Sequence, residues 1–245
     1  MLRKVFLLIF TMLAGFFGQS VGETLKEEEE AEEIVENKYI ALTFDDGPHE
    51  EHTIRLLDAL LERDIKATFF VLGYEAEKHP EIILRMYNEG HSIGNHTINH
   101  YDLTIKSREV ILYEIEETNR IIYDILGKNP TLFRPPFGNR NDLVIEVAKE
   151  LNLPLILWSI DPEDWRVRDA EVIRDAILGS VHNGGVILLH DIVESSIDAA
   201  IMAIDILIEQ GYTFVTIEEL FNAGGIELES GGIYHRVRFP KPSDE

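Results

Sequence analysis

Short apolar runs alternate with amphipathic segments along most of this sequence, and this alternation restricts the possible folds more than any other feature. Runs rich in β-branched and aromatic residues predict strands at Tyr39–Phe44, Ala67–Leu72, His91–Gly94, Leu132–Arg134, Leu155–Trp158, Val186–His190 and Tyr212–Thr216. Apolar residues spaced three and four apart predict helices at Thr53–Arg63, Pro80–Glu89, Ser107–Leu126, Asn141–Leu151, Ala170–His182 and Ser196–Gln210. Alternating strands and helices form βαβ units around a parallel sheet. The pattern therefore predicts an α/β fold, either a closed barrel or an open doubly wound sheet.

The two ends of the chain differ from this alternating region. Residues 1–22 run from basic to apolar to small residues, the order of a secretory signal peptide. Their apolar run is shorter than the ~20 residues of a spanning helix, so cleavage is favoured, with an uncleaved anchor as the alternative. Residues 23–37 are rich in glutamate and predict an acidic linker, or else a frayed helix. We expect the main domain, extracytoplasmic, at 38–222, and a loose C-terminal tail at 223–245 with an edge strand at 233–239.

Charge and composition exclude several kinds of partner and site. The formal net charge of −23 argues against nucleic acid, because its binding depends on lysine and arginine. The same charge disfavours an electrostatic grip on anionic lipid, so the membrane is a partner only through an uncleaved N-terminal segment. The chain has no cysteine, so any metal site must consist of histidine and carboxylate side chains. The oligomeric state cannot be predicted from the sequence.

Ionisable side chains follow five of the predicted strands. In parallel α/β barrels the carboxyl ends of the strands meet at one face, which carries the chemistry. The groups at these ends are Asp45, Asp46, His96, His100, Arg134, Asp161, Asp164 and His190. We therefore expect them to converge on one site.

Each of these groups also has an ordinary structural interpretation. Asp45–Asp46 before Gly-Pro can form a turn, and the H-x₃-H spacing of His96–His100 can arise by coincidence. Asp161 is suited to capping the following helix, His190 can be a core histidine, and Trp158 is interpreted as core. These interpretations do not explain why all the groups lie at the same ends of the strands.

Five ordered motifs at these positions resemble those of the polysaccharide deacetylase family, also called the NodB-homology or carbohydrate esterase 4 family. The motifs are Thr43–Gly47 (TFDDG), His96–His100 (HTINH), Arg134–Gly138 (RPPFG), Asp161–Trp165 (DPEDW) and Ile187–Asp191 (ILLHD). The resemblance extends from about Tyr39 to Leu220 and implies a distorted (β/α) barrel of seven or eight strands. The sequence has Phe137 where the family often has tyrosine.

The resemblance implies a divalent metal held by Asp46, His96 and His100. Zn²⁺ is the expected ion, with Co²⁺ as the alternative, since three protein ligands and one open position suit a catalytic zinc. Asp45 would be the general base, and Arg134 would pair with it and fix its orientation.

The remaining roles also follow from the resemblance. His190 would be the general acid that protonates the departing amine, and Asp164 would tune it. Phe137 would offer its backbone N–H to the oxyanion. Trp165 and Leu188 would form the walls of the acetyl pocket.

The expected function is hydrolytic removal of N-acetyl groups from an extracellular amino-sugar polymer, either peptidoglycan or chitin oligosaccharides, in the cell envelope or outside it. One alternative is an amidohydrolase of the same fold that acts on a small amide or imide. Another alternative is a glycan-binding homologue without catalysis. A lost base, ligand or acid would favour that homologue, and all of these residues are present in the sequence.

Overall fold

The computed structural model describes residues 37–240. Its strands are β1 (Lys38–Asp45), β2 (Thr68–Val71), β3 (Ser92–Asn95), β4 (Leu155–Ile156), β5 (Gly185–His190), β6 (Tyr212–Phe214) and β7 (Ile233–Tyr234). Its helices are α1 (His52–Glu62), α2 (Gly73–Lys78), α3 (Pro80–Asn88), α4 (Arg108–Leu126), α5 (Asp142–Glu150), α6 (Ala170–Ser180), α7 (Glu194–Glu209) and α8 (Ile217–Ala223). Short 3₁₀ turns cover Leu103–Ile105 and Pro136–Gly138.

The strands form a parallel sheet that closes into a distorted barrel. Its hydrogen-bonded order is β3–β2–β1–β5, and β6 pairs with the beginning of β1. Phe133 bridges Asn95 at the end of β3 to Leu155 in β4, and Ile160 bridges Ile187 in β5. The ring therefore returns to β1 through single-residue bridges, and the predicted α/β barrel is confirmed. Because the strands are parallel, their carboxyl ends share one end of the barrel.

The strands are buried on both faces, as expected for a parallel sheet that helices cover, and they form the centre of the core. Ile40 to Asp45 is buried throughout in β1. The ring of Phe44 stacks on that of Phe69 in β2, with centroids 5.4 Å apart. At roughly 25 cal/mol per Å² of apolar surface, these buried rings are among the larger contributors to the stability of the barrel.

Most predicted elements are present, and the differences have local causes. The predicted strand Leu132–Arg134 is reduced to bridges at Phe133, because Pro135 and Pro136 follow it and have no N–H to extend a ladder. Helices α2 and α8 were not predicted, and only α8 begins with a strong local signal. A capping box begins α8, in which the Thr216 hydroxyl and the Glu219 carboxylate each bond the other's backbone N–H.

The structure describes most of the C-terminal segment but not the N-terminal one. The predicted signal segment 1–22 and the linker up to residue 36 lie outside the described residues. The sequence predicts a loose tail after helix α8, but in the structure this segment packs on the domain up to Val237. Strand β7 pairs with β4, and Val237 is buried and donates its N–H to the Gly184 carbonyl. No helix within 37–240 has the length and apolar character needed to cross a membrane.

Candidate active site

Three potential metal ligands meet beyond the carboxyl ends of β1 and β3. Asp46 follows β1, and His96 and His100 lie in the loop after β3. Oδ1 of Asp46 is 3.4 Å from Nε2 of His96 and 3.3 Å from Nε2 of His100. The ligand atoms of the three residues all lie within 4.8 Å of one another. The structure thus brings the predicted ligands together.

The cluster has the chemistry of a divalent cation site. Oδ1 of Asp46 is buried and has no hydrogen-bond partner among the described residues. His96 donates from Nδ1 to the carbonyl oxygen of Arg134 at 2.7 Å, which leaves its Nε2 free to bind a cation. Hydrogen bonds of this kind orient metal-binding histidines. A carboxylate and two imidazoles suit several first-row divalent ions.

The pKa values of the three groups reflect burial and mutual charge. Burial alone would raise the pKa of Asp46, but the imidazoles of His96, His100 and His190 outweigh it and lower the pKa to about 2. Burial and the charge of His96 lower the pKa of His100. Burial opposes protonation of His96, yet the carboxylates of Asp45 and Asp46 raise its pKa. A cation competes with protons for His96, so binding will weaken as the pH falls.

Asp45, the last residue of β1, is buried next to this cluster. Its Oδ1 accepts a hydrogen bond from Nη1 of Arg134 at 2.6 Å. Arg134 is fully buried, and it also donates to the Thr43 hydroxyl at 2.9 Å and to the carbonyls of Ile156 and Leu157 at 3.0 and 3.2 Å. The guanidinium is therefore fixed by several acceptors and orients one oxygen of Asp45.

His190, the last residue of β5, is paired in register with Asp45 across the sheet. Its backbone N–H and its Nδ1 both donate to the carboxylate of Asp164, each at 2.8 Å. Burial alone would lower the pKa of His190, but Asp164, with smaller contributions from Asp45 and Asp46, raises it to about 9. Because Nδ1 is bonded to Asp164, Nε2 is the nitrogen that remains for a substrate.

A cavity of about 430 Å³ is lined by the three potential metal ligands, by Asp45 and by His190, together with Phe137, Trp165 and Leu188. The predicted residues Arg134 and Asp164 are not among its lining residues. Leu188 is buried in its wall, whereas Trp165 is half-exposed at its edge. The Phe137 ring packs against His100 with centroids 4.5 Å apart, and Phe137 has a φ of +60°. Such backbone strain is concentrated at functional sites.

Four further residues line the cavity that the sequence did not place at the site: Trp158, Arg168, Ile192 and Val193. Asp161, one of the groups expected to converge there, lines the cavity as well. Trp158, interpreted as core, packs against the core but is only half-buried, so it also lines the cavity. Asp161 accepts the N–H of Glu163 in a turn, and Asp169 is the residue that caps α6. The positions of Trp158 and Ile192 in the sequence could have predicted that they line the cavity, because each lies two residues after the end of a strand.

Arg168 is the one arginine or lysine among the residues that line the cavity. Its side chain is exposed. Within residues 37–240, no carboxylate lies within ion-pair distance of it. The guanidinium is therefore available to an anion that enters the cavity.

Comparison with known proteins places these features in a family. The model of the family "Polysaccharide deacetylase" matches residues 32–156. Peptidoglycan-N-acetylglucosamine deacetylase PgdA of Listeria monocytogenes is 40% identical over 198 residues, 81% of this chain and 41% of that protein. Peptidoglycan-N-acetylmuramic acid deacetylase PdaC of Bacillus subtilis is 43% identical over 183 residues, 75% of this chain and 38% of that protein.

A solved structure of a relative shares the fold and contains a divalent cation. The family 4 acetyl xylan esterase of Clostridium thermocellum, in complex with a cobalt ion, superposes with a TM-score of 0.77 and 33% identity. The match covers 82% of this chain and 100% of that one. The chain spans about two fifths of the length of PgdA and PdaC. It belongs to the polysaccharide deacetylase family.

Proposed function

We propose that this chain is a metal-dependent deacetylase that hydrolyses the N-acetyl groups of peptidoglycan. The observation that carries the proposal is the combination of Asp45, His190 and the Asp46–His96–His100 cluster around one cavity. A buried carboxylate held by arginine and an imidazole held by a carboxylate supply a base and an acid in one site.

Asp45 acts as the general base. Its carboxylate accepts a proton from the attacking water, while the bond from Arg134 keeps the other oxygen in place. Phe137 directs its backbone N–H to the oxygen that becomes negative when water adds to the amide carbonyl. Leu188 and Trp165 form the walls that hold the acetyl methyl group.

His190 acts as the general acid. It donates the proton on Nε2 to the amide nitrogen as the C–N bond breaks, since an unprotonated amide anion is a poor leaving group. Asp164 stabilises the protonated imidazole and fixes its tautomer. The acetyl carbon keeps the oxygen of water, so the products are acetate and a free amino sugar.

Asp46, His96 and His100 hold the metal, for which Zn²⁺ is the first choice and Co²⁺ the second. When bound, a divalent ion supplies Lewis acidity, which polarises a carbonyl and lowers the pKa of water. The cobalt complex of the Clostridium thermocellum esterase supports a divalent ion at this type of site.

The polymer and its location are inferred from the relatives and from charge. PgdA and PdaC are peptidoglycan deacetylases by name, and peptidoglycan carries carboxylates that chitin does not. Arg168 gives the cavity a cation that can pair with such a carboxylate. We assign the catalytic domain to residues 38–222, with the following segment up to Val237 packed on it, in the cell envelope or outside it. Residues 1–22 are assigned as signal or anchor and 23–37 as linker.

Acetate release tests the proposal. The full chain is loaded with Zn²⁺ or Co²⁺ and supplied with purified peptidoglycan and with chitin oligomers, next to Asp45→Asn. We expect acetate from peptidoglycan, loss of activity with a chelator, and a roughly 10²–10⁴-fold lower rate in the variant. Asp142→Asn, an exposed residue at the start of α5, is the matched control and should keep the wild-type rate. Metal-loaded protein that releases no acetate would overturn the activity, and release from chitin alone would overturn the polymer.

A further inference from the structure

The loop that carries His96 and His100 has backbone angles that need external support. Thr97 has a φ of +68° and His100 a φ of +56°. Residues other than glycine rarely adopt this left-handed region, and β-branched residues such as threonine adopt it least. Conformations of this kind persist only where the surrounding structure fixes them.

Helix α4 fixes the beginning of this loop through Asn95, the residue before His96. The Asn95 side-chain amide donates to the Ile115 carbonyl at 2.8 Å and to Oδ1 of Asn119 at 2.7 Å. Its Oδ1 accepts the N–H of Thr97 at 2.7 Å. One end of the loop is therefore tied to the middle of a long helix.

Glu114, also on α4, fixes the other end. Its backbone carbonyl accepts the N–H of Ile98 at 3.1 Å. Its carboxylate accepts two hydrogen bonds from Asn99, one from the backbone N–H at 2.9 Å and one from Nδ2 at 2.7 Å. Glu114 thus contacts both residues that lie between Thr97 and His100.

The burial of Glu114 makes this arrangement informative. The residue is 1% exposed, and no lysine, arginine or histidine within 37–240 forms an ion pair with it. A buried carboxylate without a cation is unfavourable unless hydrogen bonds satisfy its oxygens. Both oxygens of Glu114 are satisfied by Asn99, which directly precedes His100.

We propose that Glu114 is a positioning residue for the metal site. It acts through Asn99 and holds the loop so that Nε2 of His96 and Nε2 of His100 both face Asp46. The inference rests on the metal site of the proposed function and extends it to a residue on another element. Among the described residues, Glu114 forms no hydrogen bond with Asp46, His96 or His100, and its partners in the loop are Ile98 and Asn99.

The decisive measurement is the metal affinity of the full chain. A chromophoric chelator competes with the protein for Zn²⁺ or Co²⁺, and its absorbance reports how much metal the protein holds. Glu114→Met keeps the length of the side chain but removes both acceptors, and we expect about 10–100-fold weaker binding, as for other residues that support metal ligands. Glu114→Gln should restore most of the affinity, because its amide oxygen can accept the Asn99 N–H and the Asn99 amide can rotate to match it. The visible spectrum of bound Co²⁺ should change in Glu114→Met and not in Glu114→Gln.

Two further variants complete the test. Glu116→Met changes an exposed glutamate on the same helix and should bind metal like the wild type. Asn99→Ala removes the same hydrogen bonds from the loop side and should weaken binding to a similar extent, which keeps the test valid if Glu114→Met does not fold.

Wild-type affinity in folded Glu114→Met, even with a lower melting temperature, would overturn the inference and leave Glu114 a structural role only. A wild-type chain that binds no metal would instead overturn the metal site itself. The two failures are therefore distinguishable without any measurement of acetate.

Discussion

Asp45 and His190 are direct register partners on the adjacent parallel strands β1 and β5, and each is held by a buried partner of opposite charge. Arg134 contacts Asp45 at 2.6 Å, and Asp164 contacts His190 at 2.8 Å. The sheet register therefore places the proposed base and the proposed acid side by side at the same end of the barrel. Their partners come from other segments, so each group is oriented independently.

The partner of His190 should set the alkaline limit of activity. Asp164 raises the pKa of His190 to about 9 against the opposing effect of burial. A general acid works only while protonated, so activity is present below that pKa and is lost as the pH rises through it. Asp164→Asn should move the alkaline limb of the kcat–pH profile about 1–3 pH units lower. An alkaline limb that does not move in this variant would exclude His190 as the acid.

Removal of only one partner of the buried Arg134–Asp45 pair should strongly lower the stability of the protein. Arg134→Met leaves Asp45 buried without its cation, and we expect the free energy of unfolding to fall by about 3–5 kcal/mol. Urea denaturation of the metal-free protein measures this change. The double variant Arg134→Met/Asp45→Asn should lose less than the sum of the two single variants, because the groups interact directly. Additive losses would contradict direct coupling.

Arg168 should select substrates that carry a carboxylate. In Arg168→Gln, we expect kcat/KM for muramyl-containing peptidoglycan fragments to fall about 10-fold, the effect of roughly 1.4 kcal/mol, while kcat/KM for chitin oligomers stays unchanged. For the muramyl-containing fragments, kcat/KM of Arg168→Lys should lie between that of the wild type and that of Arg168→Gln, since lysine keeps the charge without the planar fork. Added salt should reduce the wild-type preference. An equal loss on both substrates would assign Arg168 to general binding instead.

His91, at the opposite end of the strands from the site, should make stability depend on pH. Burial, helped by Lys66 and Arg85, lowers its pKa to about 4, and its Nδ1 accepts the N–H of Ala67. The unfolded chain protonates near the ordinary pKa of about 6.5, so it binds more protons than the folded chain at lower pH. The His91 contribution is complete above pH ~6.5 and is lost at about 1.4 kcal/mol per unit as the pH falls to ~4.

The variant His91→Asn isolates this effect, because its amide oxygen can accept the Ala67 N–H without titrating. Denaturation at several pH values between about 4 and 6.5 should show a shallower loss of stability in the variant than in the wild type. Parallel curves would show that His91 is not the group responsible.

The sequence by itself determined the fold class and the identity of the proposed site. Alternating strand and helix patterns report which faces are buried, and this information is local to each element. The order of the five motifs placed Asp46, His96 and His100 after their strands, and parallel strands bring such positions together. These residues could therefore be assigned to one site without coordinates.

Only the tertiary structure decided which residues support that site from a distance. Glu114 lies on a helix with no catalytic motif, and its contact with Asn99 depends on how α4 packs beside the loop. Trp158 is predicted to be core, and it does pack against the core, yet in the folded chain it also lines the cavity. Sequence patterns record whether a side chain is apolar or ionisable, whereas its neighbours are set by packing between elements far apart in the chain.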